Sequence, residues 1–321
     1  MSFITTLSIF MLIVIILYGS HIRFHPLLPN GKLAYSSRYY TYKWNNYNIN
    51  YIEMKNVNPS KIPILFIHGL GSSVYHFRYN YPELSKNSDI YSIDLLGFGA
   101  SNKPIIDYNA SLWVDQIDHF INTKIKGKCL LVGNSIGANL CLEASLINDE
   151  ICGIVCINPA GKDEEFFNNV SNVVDQHKFL KKIRSLIFDF MFKLINRKTY
   201  IKNILEDIYH NKTNVDEDLI RSIYEPLNML DKEKSNQLFE KINLGLSSMS
   251  LVSNSSIPIL LLWGIYDSWI DNKTVELMKN YYPKLKYVEI KGGHCCHDEN
   301  PTDVNNEITS FLNNFWLSYE L

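Results

Sequence analysis

Short apolar runs recur along this chain, each closed by glycine or a polar cluster, and most are separated by stretches with apolar residues at helical spacing. Tyr39–Trp44 and Asn48–Met54 alternate as strands and are joined through Asn45-Asn46, a hairpin signal. Ile62–Ile67 and Asp89–Leu95 are continuous apolar runs, as buried parallel strands are. Residues 107–125 place Leu112, Ile117, Phe120 and Ile121 inward on a helix. Residues 128–132, 151–158, 257–263 and 285–290 predict four more strands. Helices are expected after the first of these four, over roughly 272–281, and over 301–319. Eight strands interleaved with helices predict an α/β fold, a mostly parallel sheet wrapped on both faces.

Two regions break the rhythm. Residues 4–18 (ITTLSIFMLIVIILY) are almost wholly apolar, short for a membrane span and near the length of a signal-peptide core, although no Lys or Arg precedes them. Residues 1–20 are therefore read as a signal peptide or membrane anchor, and 21–38 as a linker or transit-like segment. Residues 1–52 contain no Asp or Glu but several basic residues, the composition of a plastid-type transit segment; a chance gap in a polar linker is the alternative. Residues 162–256 carry helical patterns and no clear strand, and are read as a helical cap inserted between core segments 39–161 and 257–321. Within the cap, Phe179, Ile183, Leu186, Ile187, Phe190 and Leu194 share one helix face and Lys and Arg residues decorate the rest. The favoured reading packs that face onto the core; the other is contact with a lipid surface.

Composition narrows the function classes. The 321 residues carry 31 Lys and Arg against 33 Asp and Glu. The slightly acidic balance argues against nucleic acid as a partner. The six cysteines show no disulfide-framework spacing, and those on apolar segments read as small core residues. His294-Cys295-Cys296-His297 looks like a metal cluster, but adjacent residues cannot all turn onto one ion, so neither a metal nor any other cofactor is expected.

The chemistry gathers around residues 128–148. A strand, then Gly133-Asn134-Ser135-Ile136-Gly137, then a helix is the pattern of a nucleophile elbow. The turn is too tight for side chains at the flanking glycines, and the helix start aims free N–H groups at an oxyanion formed beside Ser135. A serine hydroxyl barely ionises at neutral pH and needs a base and a group to orient that base. Catalytic groups in such sheets emerge at the carboxyl ends of strands. Asp267 follows the strand 257–263, and His294 follows the strand 285–290 after Gly292-Gly293. Asp267 would orient the imidazole and His294 would carry the proton. Asp267 as a helix cap is the structural alternative, and His297 is the competitor for the base. Oxyanion donors are expected from the backbone N–H groups of Ile136 and Leu70, with His68 and Gly69 shaping the Leu70 loop. Asp94, Gly97 and Gly99 read as a structural turn beneath the site.

With these residues in hand the chain resembles the α/β-hydrolase superfamily, and more narrowly its plastid-type, pheophytinase-related members. The matching stretches are 68–104, LVGNSIGANL (131–140), LLLWGIYDSWI (260–270) and GGHCCHDENPTDVN (292–305). The resemblance implies the α/β-hydrolase fold, Ser135, Asp267 and His294 as a triad, and Leu70 and Ile136 as oxyanion donors. It also makes a non-photosynthetic plastid a reasonable location. Ala138, Ser268 and Cys296 depart from the subgroup's usual glycine and prolines, and the cap is not covered.

The expected activity is hydrolysis of a lipophilic carboxylic ester through an acyl-enzyme. Epoxide hydrolases and dehalogenases of the superfamily use an aspartate nucleophile, so serine at 135 argues against both. The alternatives are a ligand-binding receptor on the same scaffold, and an acyltransferase or thioesterase using the same triad.

Overall fold

The computed structural model describes residues 38–56, 62–160, 198–228, 253 and 257–319, with side chains for all of these except 38, 227, 228 and 314–319. The leader, residues 4–18 included, and the basic helix pattern over 179–194 lie outside the described residues. Among those described, no helix is long and apolar enough to cross a membrane.

One eight-stranded sheet organises the chain, in the order β1-β2-β4-β3-β5-β6-β7-β8. Its strands are β1 (Arg38–Trp44), β2 (Tyr47–Met54), β3 (Ile64–Ile67), β4 (Ile90–Ile93), β5 (Cys129–Asn134), β6 (Ile151–Ile157), β7 (Ile259–Gly264) and β8 (Lys286–Ile290). Among the described strands only β1/β2 and β2/β4 pair antiparallel. The hairpin turns through Asn45 (φ 46°) and Asn46 (φ 67°), the doubly left-handed geometry that a two-residue hairpin requires and that asparagine tolerates.

The central strands read as unbroken apolar runs because both faces are covered. Leu65, Ile67, Leu131, Ile154, Cys156, Leu261 and Trp263 pack into one core layer. Their strand neighbours Ile64, Phe66, Leu130, Val132, Val155, Ile157, Leu260 and Leu262 pack into the other. The α-helices among the described residues are α1 (Tyr81–Leu84), α2 (Ala110–Phe120), α3 (Ile136–Ala144), α4 (Lys198–Ile208), α5 (Glu217–Asn228), α6 (Lys273–Tyr281), α7 (Cys296–Glu299) and α8 (Pro301–Tyr319). Residues of α2 and α3 enter the first layer, and residues of α1 and α8 the second. The helix expected over 107–125 starts at Ala110, where the Asn109 side chain caps it, and its last turn, Ile121–Ile125, widens to a π-helix.

The described part of the expected cap is helical. It packs on the loops at the carboxyl edge of the sheet: Ser268 Oγ donates to the Asp207 carbonyl, and the His294 N–H donates to the Ile208 carbonyl. All six cysteines are buried and unpaired. Cys295 and Cys296 diverge into opposite core layers, so the HCCH run does not converge on one point.

Candidate active site

Ser135 stands between β5 and α3 at φ 56°, ψ −125°, in the positive-φ region a non-glycine residue rarely adopts. Its neighbours explain how the strain is held. A Cβ on Gly137 would lie 2.3 Å from the Ile67 carbonyl oxygen, and one on Gly133 would lie 2.4 Å from the backbone of Gly137. The two glycines thus let the start of α3 lie directly on the end of β3. The Ser135 N–H donates to the Ile157 carbonyl, 3.0 Å, which ties the turn to β6. Ile136, the first residue of α3, has an N–H with no partner within the helix.

The loop after β3 closes on the same turn. A Cβ on Gly69 would come 3.2 Å from Ser135 Cβ, so glycine there admits the serine side chain. His68 is fully buried: the Leu95 N–H donates to its Nε2 at 3.1 Å, leaving Nδ1 to donate to the Gly69 carbonyl at 2.8 Å. It braces the loop, and burial holds its pKa below the ordinary histidine value. The Leu70 N–H is engaged by no backbone acceptor among the described residues. Asp94 organises the ground below, accepting from Val74 N, Ala100 N and the Asn50 amide. A Cβ on Gly99 (φ 48°) would strike its carboxylate at 2.3 Å.

The structure brings His294 and Asp267 together. His294 Nδ1 lies 2.8 Å from Asp267 Oδ2, and both side chains are nearly or wholly buried. Asp267 Oδ1 accepts from the N–H groups of Trp269 (2.8 Å) and Ile270 (3.0 Å). Burial acts to raise the Asp267 pKa, but the His294 ring and those two N–H groups outweigh it, and the carboxyl sits below its ordinary value. The Trp269 ring stacks over the imidazole, with centroids 6.1 Å apart.

Two asparagines that the sequence reading passed over complete the frame. Asn158 (φ 43°, fully buried) ends β6; its Nδ2 donates to Asp267 Oδ2 at 2.7 Å while its Oδ1 accepts from the Gly264 N–H at 3.0 Å. Asn134, beside the serine, donates to the His294 carbonyl at 3.1 Å, fixing the histidine backbone against the elbow. The only advance signal is a lone polar amide closing each of two adjacent apolar strands. Among the described residues no hydrogen bond joins the Ser135 hydroxyl to the His294 ring; such contacts are commonly long until substrate binds.

His297, the competitor for the base, has different surroundings. It is fully buried between His76 and Phe77, and its ring nitrogens have no hydrogen-bond partner among the described residues. Burial, with the His294 and Arg78 charges, pushes its pKa down to about 3. Beside it, Arg78 Nε bonds Asp298 Oδ1 at 2.9 Å, and the Tyr209 hydroxyl donates to Asp298 Oδ2 at 3.0 Å.

A strained serine at the tip of a central parallel strand, under an eight-stranded sheet of this order, defines the α/β-hydrolase class of folds. Residues 62–301 match the α/β hydrolase fold family, and the chain belongs to that family. It is 25% identical to epoxide hydrolase 3 of Xenopus tropicalis over 79% of this chain and 72% of that protein. It is 22% identical to chloroplastic pheophytinase of Arabidopsis thaliana, over 80% of this chain and 61% of that protein. Pheophytinase is therefore one distant relative among several, and the narrower subgroup likeness is not singled out. Among solved structures, a bacterial membrane phospholipase A superposes with a TM-score of 0.69 at 20% identity, covering 88% of this chain and 87% of that one. The chain is a hydrolase of the α/β-hydrolase family.

Proposed function

We propose that the protein hydrolyses a carboxylic ester through an acyl-enzyme, with Ser135 as nucleophile, His294 as general base and then acid, and Asp267 as the group that orients it. The observation that carries this is the conjunction of a serine held at positive φ with a His294–Asp267 pair whose histidine backbone is hydrogen-bonded to the residue beside that serine.

The polarity of the contacts supports these roles. An Asp267 carboxylate accepts at His294 Nδ1, so the proton sits on Nδ1 and the Nε2 lone pair is free to take the serine proton. Attack on the ester carbonyl then places the oxyanion between the N–H groups of Leu70 and Ile136, and the imidazolium returns its proton to the departing alcohol. Water repeats the cycle on the acyl-enzyme. Serine at 135, where aspartate nucleophiles of the superfamily stand, supports an ester over an epoxide as substrate. The phospholipase named among the structural relatives supports a lipophilic ester.

The test is covalent labelling by a fluorophosphonate probe. Wild type is expected to label and Ser135→Ala to remain unlabelled; a folded wild type that takes no label overturns the reading in favour of a non-catalytic receptor. Product analysis with an added alcohol separates hydrolysis from acyl transfer, and profiling against a panel of lipid esters identifies the acyl and alcohol parts.

A further inference from the structure

The turn that carries His294 is fixed from outside the sheet. Gly292 and Gly293 precede the histidine, and two glycines in sequence confer the greatest backbone freedom available to a chain. Here that freedom is removed by the segment leaving α4. The His294 N–H donates to the carbonyl of Ile208, the last residue of α4, at 3.0 Å. A helix ends with unpaired carbonyls, so the catalytic turn supplies one of the missing donors. A Cβ on Gly293 would lie 2.6 Å from that carbonyl oxygen and 2.8 Å from His210 N, so the two backbones are in direct contact.

One side chain bridges this contact. Glu299 Oε1 accepts from the Gly293 N–H at 2.7 Å, and its Oε2 accepts from the Asn211 N–H at 2.7 Å. Its own N–H is held by the Cys295 carbonyl, 3.1 Å, within the short helix α7. Burial raises its pKa, and the N–H groups of Asn211, Gly293 and His210 oppose that shift. None of these bonds touches Ser135, Asp267 or the imidazole ring.

We propose that Glu299 is a positioning residue for His294, its carboxylate locking the glycine turn to the end of α4 so that base and helix end move as one body. The assignment rests on the triad reading above. A misplacement of about 1 Å at a catalytic group costs on the order of 100-fold in rate. Glu299→Gln keeps one acceptor and sets an N–H₂ against a backbone N–H, so one tie becomes a repulsion.

The experiment measures, for wild type, Glu299→Gln, Glu299→Asp and the destabilising control Ile308→Val, the rate of fluorophosphonate labelling, ester kcat and KM, and backbone hydrogen exchange over 208–212 and 291–295. Glu299→Gln is expected to label and turn over about 10- to 100-fold more slowly with KM within about threefold, and to speed exchange in both segments together. Glu299→Asp, which keeps the charge on a shorter arm, is expected to recover part of the rate and serves if the Gln variant does not fold. Ile308→Val, which removes a methyl buried in the core layer under α8 and makes no hydrogen bond to the turn, is expected to label at the wild-type rate. Unchanged labelling in Glu299→Gln, or an equal loss in Ile308→Val, overturns the assignment while leaving the triad intact. A wild type that takes no label overturns the triad, and exchange in the two segments still decides whether Glu299 holds them together.

Discussion

Replacing Asp267 by asparagine tests the hydrogen-bond polarity on which the site depends. The carboxylate accepts from four donors: Trp269 N and Ile270 N at Oδ1, and His294 Nδ1 and the Asn158 amide at Oδ2. An asparagine can place its N–H₂ at either position. At the Oδ1 position it opposes two backbone N–H groups that cannot turn away, leaving two buried donors unpaired at about 1–3 kcal/mol each. At the Oδ2 position it opposes the Asn158 amide and His294 Nδ1. Asn158 cannot flip to relieve this, because its Oδ1 is committed to the Gly264 N–H. His294 can, by moving its proton to Nε2. The second arrangement therefore wins by about one buried donor, roughly 1–3 kcal/mol, and it leaves the imidazole in the tautomer that cannot accept a proton from Ser135. With the carboxylate's stabilisation of the imidazolium also gone, ester turnover and fluorophosphonate labelling are expected to fall by about 10³- to 10⁴-fold. Stability should fall by only about 1–3 kcal/mol, so urea unfolding separates a silenced enzyme from an unfolded one. Activity within tenfold of wild type would falsify the tautomer argument.

Gly137→Ala puts a methyl 2.3 Å from the Ile67 carbonyl, so helix and strand must part by about 1 Å to reach ordinary contact; a cost of about 1–3 kcal/mol in denaturant and about 100-fold in turnover is expected, and an unaltered melting temperature would contradict it. Asp298→Ala removes the two carboxylate bonds to the buried Arg78 guanidinium but leaves it Asp216 and the Asn214 carbonyl, and is expected to cost about 1–3 kcal/mol of unfolding free energy, measured by urea titration. His297, lowered from 6.5 to about 3 in the fold, contributes stability that is complete above pH 6.5 and is lost as pH falls toward 3. In His297→Leu that loss disappears, so the two unfolding curves should diverge by up to about 1.4 kcal/mol per pH unit between pH 6.5 and 4, and parallel curves would refute it.

What could be read in the chain and what could not divides along physical lines. Buried strands announce themselves as apolar runs because both faces are covered, and the hairpin at Asn45-Asn46 because few residues accept two positive φ angles in a row. Gly133 and Gly137 flanking a serine say that two backbones touch there, and they do. The short helices α1 and α7 were not legible, since four residues hold no period. Nor were the polar ties. Asn158 reaches Asp267 across 109 positions and Arg78 reaches Asp298 across 220, and a single polar residue does not advertise so distant a partner. Asn134, Asn158 and Glu299 look like ordinary surface residues until the fold closes around them.

The interior disposition of the thiols carries a last consequence. All six sulfurs are inside the fold and none is joined to another. Burial lifts the Cys152 pKa to about 11 and raises those of the other five thiols well above the ordinary value, which suppresses the thiolate needed for exchange or oxidation. An oxidising lumen finds no linkage to make in the folded chain, and a reducing cytosol finds none to break. The folded core presents the same free thiols in both.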